Sequence, residues 1–382
     1  MATASKGLTS VVEFDFATLR RRPDVEAPNL FAVDASDRLI LDEAAAAIEA
    51  AGPGEVVVIG DGYGALTLGA GVLHGARDIR VCQDSIVGER ALAANAGDFD
   101  SFASLPLGEE LLVGARVVLL QLPRSLDELD ELAALVSRYA HDDVVLFAGG
   151  RIKHMTVAMN AVLATHFSTV DVTLARQKSR VLIACGPLRS APPAMRSEFH
   201  TDLNLWISAT GSAFAGTKID IGTRALLAVL DRAAPDASSA VDLGCGTGVV
   251  AAVLARDRPT LDILASDTSA GAVASATATM AANGINTVEV VRDDALGEQP
   301  DASVDLVLLN PPFHLGGTVH TGAASKLFAA AARVLKPGGE LWTVYNSHLA
   351  YLPELDRVVG PTREVSRNTK FTVTVSRTLE GR

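Results

Sequence analysis

The run "VDLVLLNPPFH", residues 304–314, passes from an apolar strand-like stretch straight into Asn310, Pro311, Pro312 and Phe313. Neither proline has an N–H to give to a sheet ladder, so the strand has to end there. A side-chain amide, the carbonyl of a rigid ring and an aromatic face are therefore held stiffly at one strand's carboxyl end. Upstream, "VDLGCGTGVV" places Asp242 at the end of another strand, followed by Gly244, Gly246 and Gly248 in a turn that opens a helix. Glycines there let the backbone take positive φ and let a ligand come close to the main chain. Asp267, in "LASDTS", ends the next strand, where a carboxylate suits ribose hydroxyls. A Gly-rich strand–turn–helix is common to nicotinamide dehydrogenases and many others, but here the spacing is GxGxG after an acid rather than GxGxxG.

The elements that must position these residues follow from the hydrophobic pattern. From about Glu55 onward, short apolar runs ("EVVVIG", "DIRVCQ", "ARVVLLQL", "DDVVLFAGG", "SRVLIACG") alternate with Ala/Leu-rich stretches. The alternation returns in "SAVDLGCG", "LDILASD", "TVEVVRDD", "VDLVLLN" and "GGELWTVYN". Buried strands alternating with helices predict parallel, doubly wound sheets with helices on both faces. Between the halves "CGPLRSAPPAMRSEFHTDLN", rich in Pro and Ser, reads as a linker or entry segment. The expected division is 1–190 and 191–382, two α/β Rossmann-like domains in tandem.

A chain of 382 residues, 48% hydrophobic and 20% charged, can bury two real cores and gives no sign of disorder. Cys82, Cys185 and Cys245 are far apart and form no CxxC pair, which argues against a disulfide framework or structural zinc and for a reducing cytoplasm. No HExxH or similar metal spacing occurs among the eight histidines, and no metal is expected. The start carries no apolar signal core, and no run reaches the roughly 18 apolar residues of a membrane span. A net charge of −12 weighs against a nucleic-acid partner as a whole-chain figure but says little about one groove.

In order and spacing, "DLGCGTG", "SDTS", "RDDAL" and "NPPFH" resemble the motifs of class I S-adenosylmethionine-dependent methyltransferases that modify exocyclic amino groups. The chain is more closely similar to the bacterial ribosomal RNA guanine-N2-methyltransferases. The likeness extends to "GSAFAGTKIDIGTRALL", "YNSHLAYLPEL" and the terminal "NTKFTVTVSR", and so spans residues 200–382. It implies methyl transfer from S-adenosylmethionine to the 2-amino group of a guanine in ribosomal RNA, by a cytoplasmic monomer. Asp242, Gly244, Gly246 and Asp267 would surround the cofactor's methionine and ribose, with Cys245, Gly248, Thr268, Ala295 and Asn310 completing its site. Either Asp293 or Asp294 would meet the adenine amino group. The Asn310 oxygen and the Pro311 carbonyl would accept the target amine's two N–H groups, Pro312 would stiffen the loop, and Phe313 would stack on the base. Two other readings use the same residues: methylation of an adenine 6-amino group or a glutamine amide, or a noncatalytic RNA-binding or assembly protein.

The first half reads as a worn copy of the second. "VVVIGDGYGAL" aligns with "AVDLGCGTGVV", matching Gly60, Gly62 and Gly64 to Gly244, Gly246 and Gly248. Val58 replaces Asp242, and Gln121, Leu122, Pro123 and Arg124 replace the Asn-Pro-Pro-Phe quartet. A duplicate that keeps its fold and loses its site usually serves binding or stability. The resemblance implies that it helps to hold RNA, although acidic residues outnumber basic ones in 1–190. The basic cluster Arg176 to Arg180 is either a solvated strand end or an RNA contact. Cys245, with no His nearby in sequence, reads as packing or cofactor contact rather than a nucleophile.

Overall fold

A computed structural model describes residues 14–189, 191–312 and 322–379. Phe313 and His314 fall outside the described residues. The chain divides into two compact units, residues 1–83 with 88–193 and residues 84–87 with 194–382.

The first unit is built on seven strands: β1 (Val56–Ile59), β2 (Ile79–Cys82), β3 (Phe102–Ser104), β4 (Val117–Gln121), β5 (Val145–Arg151), β6 (Phe167–Val172) and β7 (Ser179–Pro187). In the second unit a short hairpin, β8 (Arg196–His200) and β9 (Leu205–Ala209), precedes the main sheet. That sheet comprises β10 (Ser239–Leu243), β11 (Asp262–Asp267), β12 (Val288–Arg292), β13 (Val304–Leu309), β14 (Leu335–Asn346), β15 (Thr362–Arg367) and β16 (Phe371–Arg377). The strand orders are β3-β2-β1-β4-β5-β7-β6 and β12-β11-β10-β13-β14-β16-β15, one topology used twice.

Both faces of each sheet are buried, which is why the strands read as unbroken apolar runs. Side chains alternate across a strand, so neighbours enter different cores. Leu306 and Leu308 join the cluster around Trp342 and Val250, whereas Val307 and Leu309 join the one around Phe328 and Tyr345. Val56 and Val58 are likewise separated from Val57 and Ile59 in the first unit.

The sheets are mostly parallel, as expected, and turn antiparallel at one edge. β7 runs antiparallel to β5 and β6, and β16 antiparallel to β14 and β15. The links from β6 to β7 and from β15 to β16 are too short for a crossover helix, and short links join only antiparallel strands. The segment expected to be linker is likewise part of the fold from Arg196 onward, because β8 pairs with β9. β9 is in turn tied to the helix Ala270–Ala282 by Ser208 N–H donating to Thr279 Oγ1 at 3.0 Å and Thr210 N–H to Ser275 Oγ at 3.0 Å. No described helix is long and apolar enough to cross a membrane.

Candidate active site

Register brings the motif residues to one edge of the second sheet. Leu243 pairs with Ser266 on one side and Leu309 on the other, and Asp267 pairs with Arg292. Gly244, Thr268, Asp293 and Asn310 are therefore the first residues beyond four adjacent parallel strands. This is the carboxyl edge, where open α/β sheets bind ligands.

Gly244, Gly246 and Gly248 all have positive φ (73°, 54° and 76°), the region that favours glycine. A Cβ on Gly244 or Gly246 would meet nothing within 4 Å, so the space above the turn is open. Gly248 has a different reason to be glycine. A Cβ there would lie 2.9 Å from both Ala276 Cβ and Met280 Cε, so it sets how closely the turn approaches the helix Ala270–Ala282. Gly244 N–H and Cys245 N–H both donate to the Ser266 carbonyl, at 2.8 and 3.1 Å.

Asp242 is buried, and its Oδ2 accepts Ala251 N–H at 3.0 Å, satisfying one of the free donors at the start of the helix Val249–Asp257. Burial pushes its carboxyl up to about 7, with the nearby Asp267 charge acting in the same direction. Asp267 is also pushed up by burial; its Oδ2 accepts Gly246 N–H and its Oδ1 accepts Ser269 N–H, each at 3.0 Å. Burial raises the Cys245 thiol well above its usual range, and Sγ lies 3.9 Å from the Gly246 carbonyl. That thiol packs; it is not a nucleophile poised as thiolate.

The two acids after β12 differ in what they hold. Asp293 is buried, with Oδ1 accepting Asp294 N–H at 2.7 Å and Oδ2 accepting Glu298 N–H at 3.2 Å. Asp294 instead receives Lys326 Nζ on both carboxylate oxygens at 2.7 Å. Ala295 takes a left-handed φ of 53° in the turn that follows. The Thr268 carbonyl accepts Arg292 Nε at 3.3 Å.

Asn310 is fixed by a partner that its motif does not announce. Its Nδ2 donates to Asp220 Oδ2 and to Thr223 Oγ1, both at 3.1 Å. Asp220 caps the helix Ile221–Leu227, and the same Oδ2 accepts Gly222 N–H at 2.8 Å and Thr223 N–H at 3.3 Å. The Asn310 Oδ1 is buried with no hydrogen-bond partner among the described residues. Pro311 is buried and Pro312 exposed. Asp220, Thr223 and Lys326 carried no site assignment from sequence. Asp220 lies 90 residues from Asn310 in the chain.

At the first unit's counterpart edge different side chains take the equivalent places. Gly60 N–H donates to Cys82 O at 3.0 Å, as Gly244 does to Ser266, so Gln83 occupies the place of Asp267 and Asp61 that of Cys245. Buried Asp61 accepts Gly64 N–H at 3.0 Å and Thr67 N–H at 2.8 Å, and Gln83 Nε2 donates to the Asp61 carbonyl. Tyr63 donates its hydroxyl to Asp24 at 2.5 Å, with the Arg21 guanidinium 4.5 Å from its ring centre. Among the described residues of the whole chain, no cluster of His, Cys, Asp and Glu could hold a metal ion.

Residues 204–375 match the methyltransferase small domain family, and residues 9–188 match the RLMG N-terminal domain family. A protein of Streptomyces avermitilis named ribosomal RNA large subunit methyltransferase G is 34% identical over 376 residues, covering 93% of this chain and 95% of that one. Proteins of the same name from Shewanella amazonensis and Pseudomonas entomophila are 32% and 33% identical, covering 93% and 94% of this chain and 94% and 96% of theirs. Among solved structures, the T. thermophilus 16S rRNA N2 G1207 methyltransferase in complex with AdoMet and guanosine superposes with a TM-score of 0.72. It covers 90% of this chain and 92% of its own at 22% identity, a likeness of fold.

Proposed function

We infer the reaction from a premise now in hand: the chain belongs to the ribosomal RNA large subunit methyltransferase G family. It is an S-adenosylmethionine-dependent methyltransferase, and its substrate is the exocyclic 2-amino group of a guanine in ribosomal RNA, here proposed to be that of the large subunit. The observation that carries the chemistry is the fixed Asn310 amide, whose oxygen is buried and unpartnered at the strand edge.

The open space over Gly244 and Gly246, with the Asp267 carboxylate at the next strand end, fits a nucleoside cofactor. When bound, that group supplies an electrophilic methyl carbon. The residues proposed to hold it are Asp242, Gly244, Cys245, Gly246, Gly248, Asp267, Thr268, Asp294, Ala295 and the edge of Asn310. Of the two adjacent acids, Asp294 suits the adenine amino group better. Both Asp293 oxygens are committed to backbone N–H groups, whereas Asp294 is held by a flexible lysine side chain.

A base amine is a poor nucleophile because its lone pair is delocalised into the ring. The Asn310 Oδ1 and the Pro311 carbonyl are proposed to accept its two N–H groups and so draw the lone pair out of conjugation with the ring, toward the methyl group; the Asn310 amide is held before the substrate arrives. A guanine 2-amino group in a duplex lies in the minor groove, so the nucleotide must leave its stack to reach a strand edge. Phe313 is proposed as the surface on which the base then stacks. The first unit is proposed to grip flanking RNA, and the working species to be a cytoplasmic monomer.

The test is methylation of large-subunit ribosomal RNA from cells lacking this chain, using the purified protein and labelled S-adenosylmethionine. Nuclease digestion should release label as N2-methylguanosine from one position. Label in adenine, in protein or nowhere would reject the reading.

A further inference from the structure

The two halves of the chain carry the same device around different amides, and the difference between them assigns a role to residues outside the motifs. β4 and β13 occupy equivalent places in their sheets, and Leu120 pairs with Ile59 as Leu309 pairs with Leu243. Gln121 and Asn310 are thus the first side-chain amides at the same edge. Each faces the first turn of a helix capped by an aspartate, Asp34 in "DASDR" and Asp220 in "DIGTR". In each, the residue three beyond the cap accepts from the amide nitrogen: Asp37 from Gln121 Nε2, and Thr223 from Asn310 Nδ2.

The residue two beyond the cap is where they part. In the first unit it is Ser36, whose Oγ lies 3.3 Å from both Gln121 Oε1 and Gln121 Nε2 and donates to Asp34 Oδ1 at 2.7 Å. In the second it is Gly222, which offers no side chain, and the Asn310 Oδ1 is left unpartnered. A Cβ at Gly222 would lie 3.2 Å from that oxygen, 2.8 Å from Asp220 Oδ2 and 3.1 Å from Phe371 Cε1. Asp220 Oδ2 already accepts two backbone N–H groups, so it can face only the NH2 end of the amide.

We propose that Asp220, Gly222 and Thr223 are positioning residues for the methyl transfer. Asp220 and Thr223 fix the Asn310 amide with its oxygen toward the substrate amine, and Gly222 keeps that oxygen free of any partner from the protein. This deepens the reading of Asn310 given above and rests on it. With one acceptor gone, the amide can rotate and present N–H groups to the amine's own N–H groups. A side chain at residue 222 would stand 3.2 Å from the Asn310 oxygen and crowd it.

The full chain is compared with its variants in single-turnover methylation of deproteinised large-subunit ribosomal RNA, alongside calorimetric cofactor affinity and thermal denaturation. Gly222→Ser should lower the rate about 100-fold or more, the scale of losing one preorganised polar group, with cofactor affinity near that of the wild type and a lowered melting temperature, because its Cβ meets Asp220 Oδ2 at 2.8 Å. Thr223→Val keeps the backbone cap and removes only the Oγ1 acceptor; it should cost about tenfold in rate. Thr223→Ser should restore that rate. In an Asn310→Ala background, Thr223→Val should have no further effect, because nothing remains to be oriented. Full activity of Gly222→Ser, or an equal loss from Thr223→Val with and without Asn310, overturns the proposal. A wild-type chain that methylates no guanine instead overturns the reading of the reaction, which keeps the two failures distinct.

Discussion

Replacing Asn310 with alanine separates a functional amide from a structural one. The substitution removes two hydrogen bonds from Nδ2, to Asp220 and Thr223. At about 1 kcal/mol net each, that loss is roughly 2 kcal/mol. It also removes the buried, unpartnered Oδ1, and leaving such an atom unsatisfied costs about 1–3 kcal/mol in the unliganded fold. Asp220 keeps Gly222 N–H and Thr223 N–H, so the helix cap survives. The two stability effects offset, and the melting temperature should move by no more than about 4 °C in a unit of this size. The rate should respond quite differently. In the proposed transition state the same oxygen accepts from an amine that is gaining positive charge, and losing one such preorganised group costs about 100- to 1000-fold, or about 2.7–4 kcal/mol. Single-turnover methylation with labelled cofactor, calorimetric cofactor affinity and scanning calorimetry read the three quantities on one preparation. An undiminished rate, or a rate loss matched by a collapse in melting temperature, refutes the reasoning.

Two further outcomes follow from the glycine turn and the acid before it. Gly248→Ala forces a left-handed residue and puts a Cβ against Ala276 and Met280, so it should destabilise the fold by about 1–3 kcal/mol, read as a lower denaturant midpoint at unchanged slope. Asp242 has a folded-state pKa near 7, above its unfolded value, so the native protein holds a proton that the unfolded chain has released; this group's contribution to stability declines as pH rises from about 4 to about 7 and is flat beyond. Asparagine does not titrate, so Asp242→Asn should gain in melting temperature relative to the wild type across that window. A difference that stays constant from acid to neutral pH would count against the burial argument.

Much of the architecture was legible because it is local. Apolar runs such as "VDLVLL" and "AVDL" are continuous rather than alternating, and only a strand covered on both faces reads that way. The prolines after Asn310 and the glycines after Asp242 marked strand ends by simple backbone chemistry. What the sequence concealed is non-local. The antiparallel edge depends on link length rather than strand composition, so "SRVLIACG" looks like any other buried strand. Asp294's partner Lys326 lies 32 residues away on another element. The partners of Asn310 are 87 and 90 residues away, and no periodicity reports a contact across that distance.

The loss of Asp242's counterpart at Val58 looked from sequence like the loss of a buried acid. The structure shows instead that the acid has moved. Asp61 stands in the turn where the second unit has Cys245, and it accepts Thr67 N–H. By position Thr67 corresponds to Ala251, the residue whose N–H is accepted by Asp242. A helix that starts immediately after a strand leaves amide N–H groups in a buried place, and each copy supplies a carboxylate to satisfy them despite the cost of burial. The same exchange recurs along the edge: the acid that holds Gly246 N–H becomes Gln83, which donates to the turn's carbonyl, and Asn310 becomes Gln121. The helix N–H is accepted from a new position in the first unit, while Gln83 makes a different bond from that of Asp267, so retention of the fold says little about retention of chemistry. What separates the halves is which polar atoms stay uncommitted. Gln121 Oε1 has Ser36 within hydrogen-bond reach, whereas Asn310 Oδ1 has no described partner. A buried acceptor left open costs stability, and the second unit bears that cost at the strand edge where the amine is proposed to bind.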